Sequence, residues 1–321
     1  MCRQAHQRQM FGKMLPMTFK GDFGQGAGQR VQTSSGSGRG PVPSGAGMMA
    51  LPVLLGGGGI GTVVLVLLAM WLLGGLGGGG GMFSPSQGEN QSQGDYNLDH
   101  CDAPNAQNEY VDCRAGATVM SVDQVWSHVL PEQANLEYRQ PGMHIFKQDV
   151  NTGCGYATAD TGPFYCPRDE TAYLDVSFFD QLHKLGGSSG PLAQMYATSH
   201  EMGHHIQQIE GTLGLSDYKN PGEDSAAVAI ELQADCYAGL WAHYAEGEGM
   251  LDTITEEQLN EAIQTAQAIG DDNIQRRSGG EVDPDAWTHG SSEQRGTAFM
   301  SGYQTGKMSA CDTLNRGVYK D

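Results

Sequence analysis

The sequence predicts an α+β domain, a small antiparallel sheet followed by a helical body, set behind one apolar segment. Three observations predict it. Two strand-like runs, "MHIFKQ" and "AYLDVSFF", fall between residues 143 and 179, and four runs with helical periodicity follow from residue 191 onward. Ahead of both, no charged side chain occurs from Gly40 to Gly88.

Taken in order, residues 1–47 are rich in Gly, Ser, Gln and Arg and are expected to be a disordered cytoplasmic tail. Within it, "MTFKGDF" from Met17 reads as an alternative start of the chain. Residues 48–73, "MMALPVLLGGGGIGTVVLVLLAMWLL", are long enough to cross about 30 Å of hydrocarbon as a transmembrane helix. A cleaved signal peptide is the alternative, but signals start near the N-terminus, and here a long polar stretch comes first. The flanking Lys and Arg residues all precede the span, with none between it and Arg114. The positive-inside rule then puts the N-terminus in the cytoplasm and the main body outside the cell membrane. Residues 74–100 are a Gly-rich linker, and residues 101–321 form the folded domain.

Charge and cysteine usage agree with an exported domain. The chain has 321 residues and a formal charge of -19; after Arg39 there remain 12 basic and 36 acidic residues, a balance of about -24. Such acidity excludes binding to a nucleic-acid backbone. Cys101, Cys113, Cys154, Cys166, Cys236 and Cys311 are an even set beyond the apolar segment, as expected of disulfides in an oxidising compartment. Cys101 with Cys113 and Cys154 with Cys166 look local, which leaves Cys236 with Cys311. A cysteine zinc site is disfavoured because no CxxC occurs.

In the domain, "SVDQVWSHVLPEQA" predicts a first helix capped by Ser121. The strand-like runs follow, with a Gly- and Cys-containing stretch between them that suits a bent hairpin. Helices are then expected at 191–210, 225–244, 256–275 and 291–303. Pro191 and Gly211 mark the ends of the first of these.

That helix carries "HEMGHH". At about 100° per residue, Met195, Met202, Ile206 and Ile209 share one stripe, while His200 and His204 fall opposite it, one turn apart. Two imidazoles at i and i+4 reach one cation, and the intervening Glu201 is placed to activate water at the metal. His205 is turned toward the apolar stripe and is expected to pack or cap. A five-residue pattern of this kind arises by chance in about one such chain per hundred, so a third ligand decides the matter.

The next helix supplies one. In "SAAVAIELQADCYAGLWAHY", Glu231 and Asp235 lie one turn apart among apolar residues, with no Lys or Arg to pair with. Carboxylates are costly in such a setting unless paired or bound to metal. His200, His204 and Glu231 are therefore the expected ligands of one catalytic zinc ion, with Asp235 accepting the free ring N–H of a ligand histidine, His200 being the best placed. In "WTHGSSEQR", His289 and Arg295 are candidates to hydrogen-bond an oxyanion, and Ser291 or Ser292 to cap the helix between them. Tyr165 and Tyr173 are weaker candidates, since aromatic residues beside a hairpin are usually core.

These segments, "TGCGYATADTGPFYCPRDETAYLDVSFFD", "HEMGHHIQ", "ELQADCYAGLWA" and "THGSSEQR", resemble the family described as "putative neutral zinc metallopeptidase", bacterial proteins with an N-terminal membrane anchor. The resemblance runs from about Cys101 to the C-terminus. It implies a zincin-like fold with His200, His204 and Glu231 on zinc, Glu201 as general base and acid, and Asp235 behind the ligands. It also implies that "AYLDVSFF" is the edge strand that receives an extended peptide substrate, and that His289 and Arg295 form a pair near the site. Ile230 stands where thermolysin-like enzymes carry Asn before the ligand glutamate, which leaves the support of His204 open. The expected function is a membrane-anchored zinc endopeptidase acting on a peptide or protein substrate, anchored in the lipid bilayer. Two alternatives stay open: a non-catalytic domain that zinc merely stabilises, and a zinc amidohydrolase acting on cell-wall peptides.

Overall fold

A computed structural model of the protein describes residues 19–21, 23–35 and 96–320. The apolar segment 48–73 lies outside the described residues, as do most of the expected tail and linker. Among the described residues, no helix is long and apolar enough to cross a membrane.

Helices are α1 (Ala27–Arg30), α2 (Ala106–Glu109), α3 (Val111–Ala134), α4 (Phe178–Lys184), α5 (Pro191–Glu210), α6 (Ala226–Gly247), α7 (Glu256–Ala268), α8 (Asp271–Arg277) and α9 (Ser292–Thr305). Strands are β1 (Gln32–Ser35), β2 (Gly142–Lys147), β3 (Asp149–Thr152), β4 (Gly155–Thr158), β5 (Phe164–Cys166) and β6 (Thr171–Asp175). The fold is α+β, as expected, but the main sheet is mixed and not antiparallel. Its order is β1-β2-β6-β5, with β1, β2 and β6 parallel and only β5 antiparallel to β6. Between β2 and β6 the chain passes through the β3–β4 hairpin and β5, a connection long enough to bring β6 back parallel to β2.

The strand containing "AYLDVSFF" is not the edge. It lies between β2 and β5, and its residues 172–175 are all buried, which fits an apolar run without alternation, covered on both faces. The edge nearest the helical body is β5, which contacts α5.

Two helices differ from expectation. Helix α3 starts at Val111, ten residues before the expected start, and Ser121 sits in mid-helix instead of capping it. Its hydroxyl donates to Thr118 O at 2.7 Å and accepts from Trp241 Nε1 at 2.8 Å. The early turns contain Ala115, Gly116 and Ala117, small residues that give no apolar periodicity but allow close approach; a Cβ on Gly116 would press on Ala27. The expected 256–275 helix is broken at Gly270, where a Cβ would run into the Ser292 backbone.

Residues 19–35, expected to be part of a disordered tail, are folded against the domain. Phe19 and Val31 are buried, Arg30 pairs with Asp123 at 2.6 Å, and β1 adds to β2 in register, Gln32 opposite His144 and Ser35 opposite Lys147. The reason is that Phe19, Ala27 and Val31 are spaced widely among polar residues yet converge on the core. The domain's second described segment begins at Tyr96, with Leu98 already buried, earlier than the expected boundary at Cys101.

All three disulfides form as expected: Cys101–Cys113, Cys154–Cys166 and Cys236–Cys311. Close helix crossings complete the body. Gly239 of α6 and Gly302 of α9 meet the opposing backbones where a Cβ would overlap the carbonyl oxygens of Phe299 and Cys236.

One buried carboxyl lies away from the candidate site. Burial pushes Glu210 up to about 7, against its hydrogen bonds from Tyr237. The fold therefore binds a proton more tightly than the unfolded chain, so stability falls as pH rises from about 4.5 to about 7. Denaturant titrations of Glu210→Gln across this range should show a flatter profile than wild type and greater stability at pH 8.

Candidate metal centre

Helix α5 begins at Pro191 and ends at Gly211, whose φ of 73° closes it with an αL cap. Its Met195, Met202 and Ile206 face the core as expected. The opposite face is covered too, because α6 lies across it. A Cβ on Gly203 would come within 3.2 Å of Ala234 Cα and O, so the glycine inside "HEMGH" lets the two helices approach. Ser225 caps α6, accepting from Val228 N at 3.2 Å.

This crossing brings His200, His204 and Glu231 together. One ligand atom from each lies within 4.8 Å of the others. His200 Nε2 is 3.4 Å from Glu231 Oε2, and His204 Nε2 is 3.8 Å from Glu231 Oε1. All three side chains are buried.

The outer nitrogens are held from behind. His200 Nδ1 donates to Asp235 Oδ1 at 2.8 Å, the contact expected from sequence. Asp235 is fully buried and also takes a two-pronged contact from Arg295, Nε to Oδ2 at 2.8 Å and Nη2 to Oδ1 at 3.0 Å, plus the Tyr196 hydroxyl. Arg295 is thus committed to Asp235 and is not free to meet an oxyanion. His204 Nδ1 donates to Gln207 Oε1 at 2.8 Å, and Gln207 Nε2 in turn donates to Ile230 O and Gln233 Oε1. Gln207 therefore does for His204 what an Asn at position 230 was missed for, with the Ile230 carbonyl steadying it.

His205 lies outside the set, as expected. Its Nε2 donates to Arg139 O at 2.7 Å and its Nδ1 accepts from Tyr165 Oη at 2.9 Å. That bond occupies the Tyr165 hydroxyl, and Tyr173 Oη is spent on Asp169, so neither tyrosine is an oxyanion donor.

Electrostatics favour a cation here. Burial raises Glu201 to about 7, helped by the charge of Glu231 and opposed by His200, Arg295 and the Tyr165 amide. Burial also works against charge on Glu231, but His204, His200 and His289 hold it below the usual carboxylate range. For Asp235, burial is likewise outweighed, first by Arg295. Burial works against charge on His200, but Asp235 and Glu231 push it up to about 10, so a protonated His200 together with Arg295 offsets Glu231 and Asp235, and a divalent cation at the ligand atoms would take the place of that proton.

Three buried polar atoms here have no hydrogen-bond partner: Glu231 Oε1, His289 Nε2 and Tyr218 Oη. Glu231 is acted on by the charge of His289, and Tyr218 by those of Glu231 and Glu201, so all three belong to one neighbourhood. Orphaned buried groups of this kind fit an ion and its ligands. Two imidazoles and a carboxylate are a donor set for zinc with a position left open.

His289 is held by a residue the sequence gave no reason to single out. Its Nδ1 meets Asp271 Oδ1 at 3.2 Å, while Asp271 Oδ2 accepts the backbone N–H groups of Thr288, His289 and Gly290 at 2.8, 2.7 and 3.1 Å. Ser291, not Ser292, caps α9, in a capping box with Gln294. Tyr218, Gln207, Tyr196 and Asp271 are the site residues that sequence reasoning missed.

Comparison with known proteins points to the same class of chemistry. A family described as "Putative neutral zinc metallopeptidase" matches residues 23–314. An uncharacterized protein of Mycobacterium tuberculosis is 42% identical over 228 residues, spanning 68% of this chain and 76% of its own length. The uncharacterized protein YpfJ of Escherichia coli is 39% identical over 195 residues, 58% of this chain and 66% of its own. No solved structure matches significantly.

Proposed function

This chain belongs to the neutral zinc metallopeptidase family, and on that premise we propose that it is a zinc-dependent endopeptidase, held at the membrane by residues 48–73 with its site on the extracytoplasmic face. The observation that carries the reading is the convergence of His200, His204 and Glu231 with the acid Glu201 beside them. A purely structural ion needs no such acid. One zinc ion held by those three ligands would polarise a peptide carbonyl and acidify water.

The chain's own residues do the rest. Glu201, whose proton affinity is raised toward neutrality, takes the proton of the attacking water and returns it to the leaving amine nitrogen. Its carboxylate is steadied by the Tyr165 backbone amide on strand β5. Since Glu201 lies beside the Tyr165 amide of β5, the edge strand of the sheet, the outer edge of β5 is assigned here to an extended peptide, the role expected of the "AYLDVSFF" strand. Tyr218 Oη stands as a donor to the oxyanion of the tetrahedral adduct, and His289 Nε2 joins it when the ring is an imidazolium, its Nδ1–H being given to Asp271.

Peptide libraries and casein should be cut by the purified protein, and the cuts should stop on chelation and resume with zinc. Cleavage confined to peptidoglycan stem peptides would favour the amidohydrolase reading, and no cleavage of either would sink both. Tyr218→Phe and His289→Ala should each lower kcat about 100-fold while zinc content stays at wild type. Loss of zinc in either variant would instead make that residue a support of the ligand set.

Export rests on the three disulfides, which need an oxidising compartment. Membrane attachment rests on the length and charge-free character of residues 48–73.

A further inference from the structure

The apolar stretch Met48–Leu73 stands between two segments that belong to one folded body. Upstream, Lys20 N donates to Met250 O at 2.9 Å, Phe19 N donates to Asn108 Oδ1 at 2.8 Å, and Phe19 forms a bridge with Leu251. Arg30 makes two bonds to Asp123, which also accepts from Tyr138 and Gln140. Strand β1 then pairs with β2 over four residues. Downstream, the chain resumes beside the same strand. Thr33 Oγ1 donates to the Tyr96 carbonyl at 2.8 Å, and Lys147, opposite Ser35, holds its Nζ 4.0 Å over the Tyr96 ring.

The chain therefore departs at Ser35 and returns at Tyr96 on one edge of one sheet. A polypeptide that crosses a bilayer an odd number of times has its two flanks in different compartments, where these contacts cannot form. Met48–Leu73 is about 39 Å long as a helix, enough for one crossing. Elsewhere between residues 36 and 95 there is no second apolar run of about 20 residues that would bring the chain back across.

We infer that the N-terminal segment and the metal centre share one compartment, so that the stretch between Ser35 and Tyr96 does not carry the chain across a bilayer. This revises the expected single-pass arrangement with a cytoplasmic N-terminus. It does not depend on the peptidase reading, nor on which compartment holds the domain.

The test uses the full chain expressed in its membrane, with Cys2→Ser so that no native thiol is free. One variant adds Gln29→Cys, at an exposed position of α1, and a second adds Ser278→Cys, at an exposed position after α8. Intact cells and permeabilised cells are treated with a membrane-impermeant maleimide, and labelling is scaled to the denatured protein. The inference predicts that both positions behave alike in intact cells. Labelling of both places the domain outside, whereas labelling of both only after permeabilisation overturns the export proposal and leaves this inference standing. Labelling of Ser278→Cys in intact cells with Gln29→Cys silent until permeabilisation overturns the inference.

Discussion

Glu201→Gln is expected to lower peptide hydrolysis by about 10²- to 10⁴-fold while the protein keeps its zinc. Gln preserves the shape of the side chain and its reach to the Tyr165 amide, but it can neither take a proton from water nor return one. His200, His204 and Glu231 are untouched, and their supports are too: Asp235 bonds to His200 and Gln207 to His204. The readouts are kcat on a cleaved peptide and zinc per chain. Full activity in the variant would mean that another group moves the proton or that the site does not hydrolyse peptides.

Asp235→Asn should be the most damaging change to the architecture. Asp235 is fully buried and joins three helices: His200 and Tyr196 on α5, its own position on α6, and Arg295 on α9. Removing its charge leaves the Arg295 guanidinium buried and uncompensated, which costs roughly 3–5 kcal/mol. It also weakens the hold on the His200 ring, for which a 10- to 100-fold loss of zinc affinity is expected. Denaturant unfolding and zinc competition measure the two effects separately. Arg295→Met added to Asp235→Asn should restore part of the stability, because the orphaned charge is gone, but none of the zinc affinity. A single variant as stable as wild type would show that the buried pair carries no such strain.

Much of this centre is legible in the sequence because it breaks a local rule. Glu231 and Asp235 stand in a helix of Ala, Val, Leu and Trp with no basic partner, and His200 and His204 repeat at one turn on the face away from the methionines. The supports were hidden for the opposite reason. Gln207 reads as an ordinary polar residue near a helix end, and Asp271 as one more polar residue inside the expected 256–275 helix; only the fold turns each toward its histidine. Arg295 and Asp235 were each visible as candidates, but their pairing across sixty residues was not.

The same contrast applies to the fold. Pro191 at the first helical position, the stop at Gly211 and a serine cap at 291 or 292 followed from local chemistry. Strand β1 did not: "QTSS" has no apolar alternation, and its partner lies more than a hundred residues away. The mixed sheet was misjudged because apolar content reveals burial and not strand direction or position, and the strand within "AYLDVSFF" is paired on both sides, by β2 and by β5.

The claim on which the rest depends is that His200, His204 and Glu231 hold the metal. Zinc bound per chain, measured by mass spectrometry on folded wild type and on Glu231→Gln, tests it most directly. One zinc in the wild type and little or none in the variant, with both proteins folded by circular dichroism, is the predicted result. Equal zinc in the two proteins, or none in the wild type after equilibration with zinc, would contradict it.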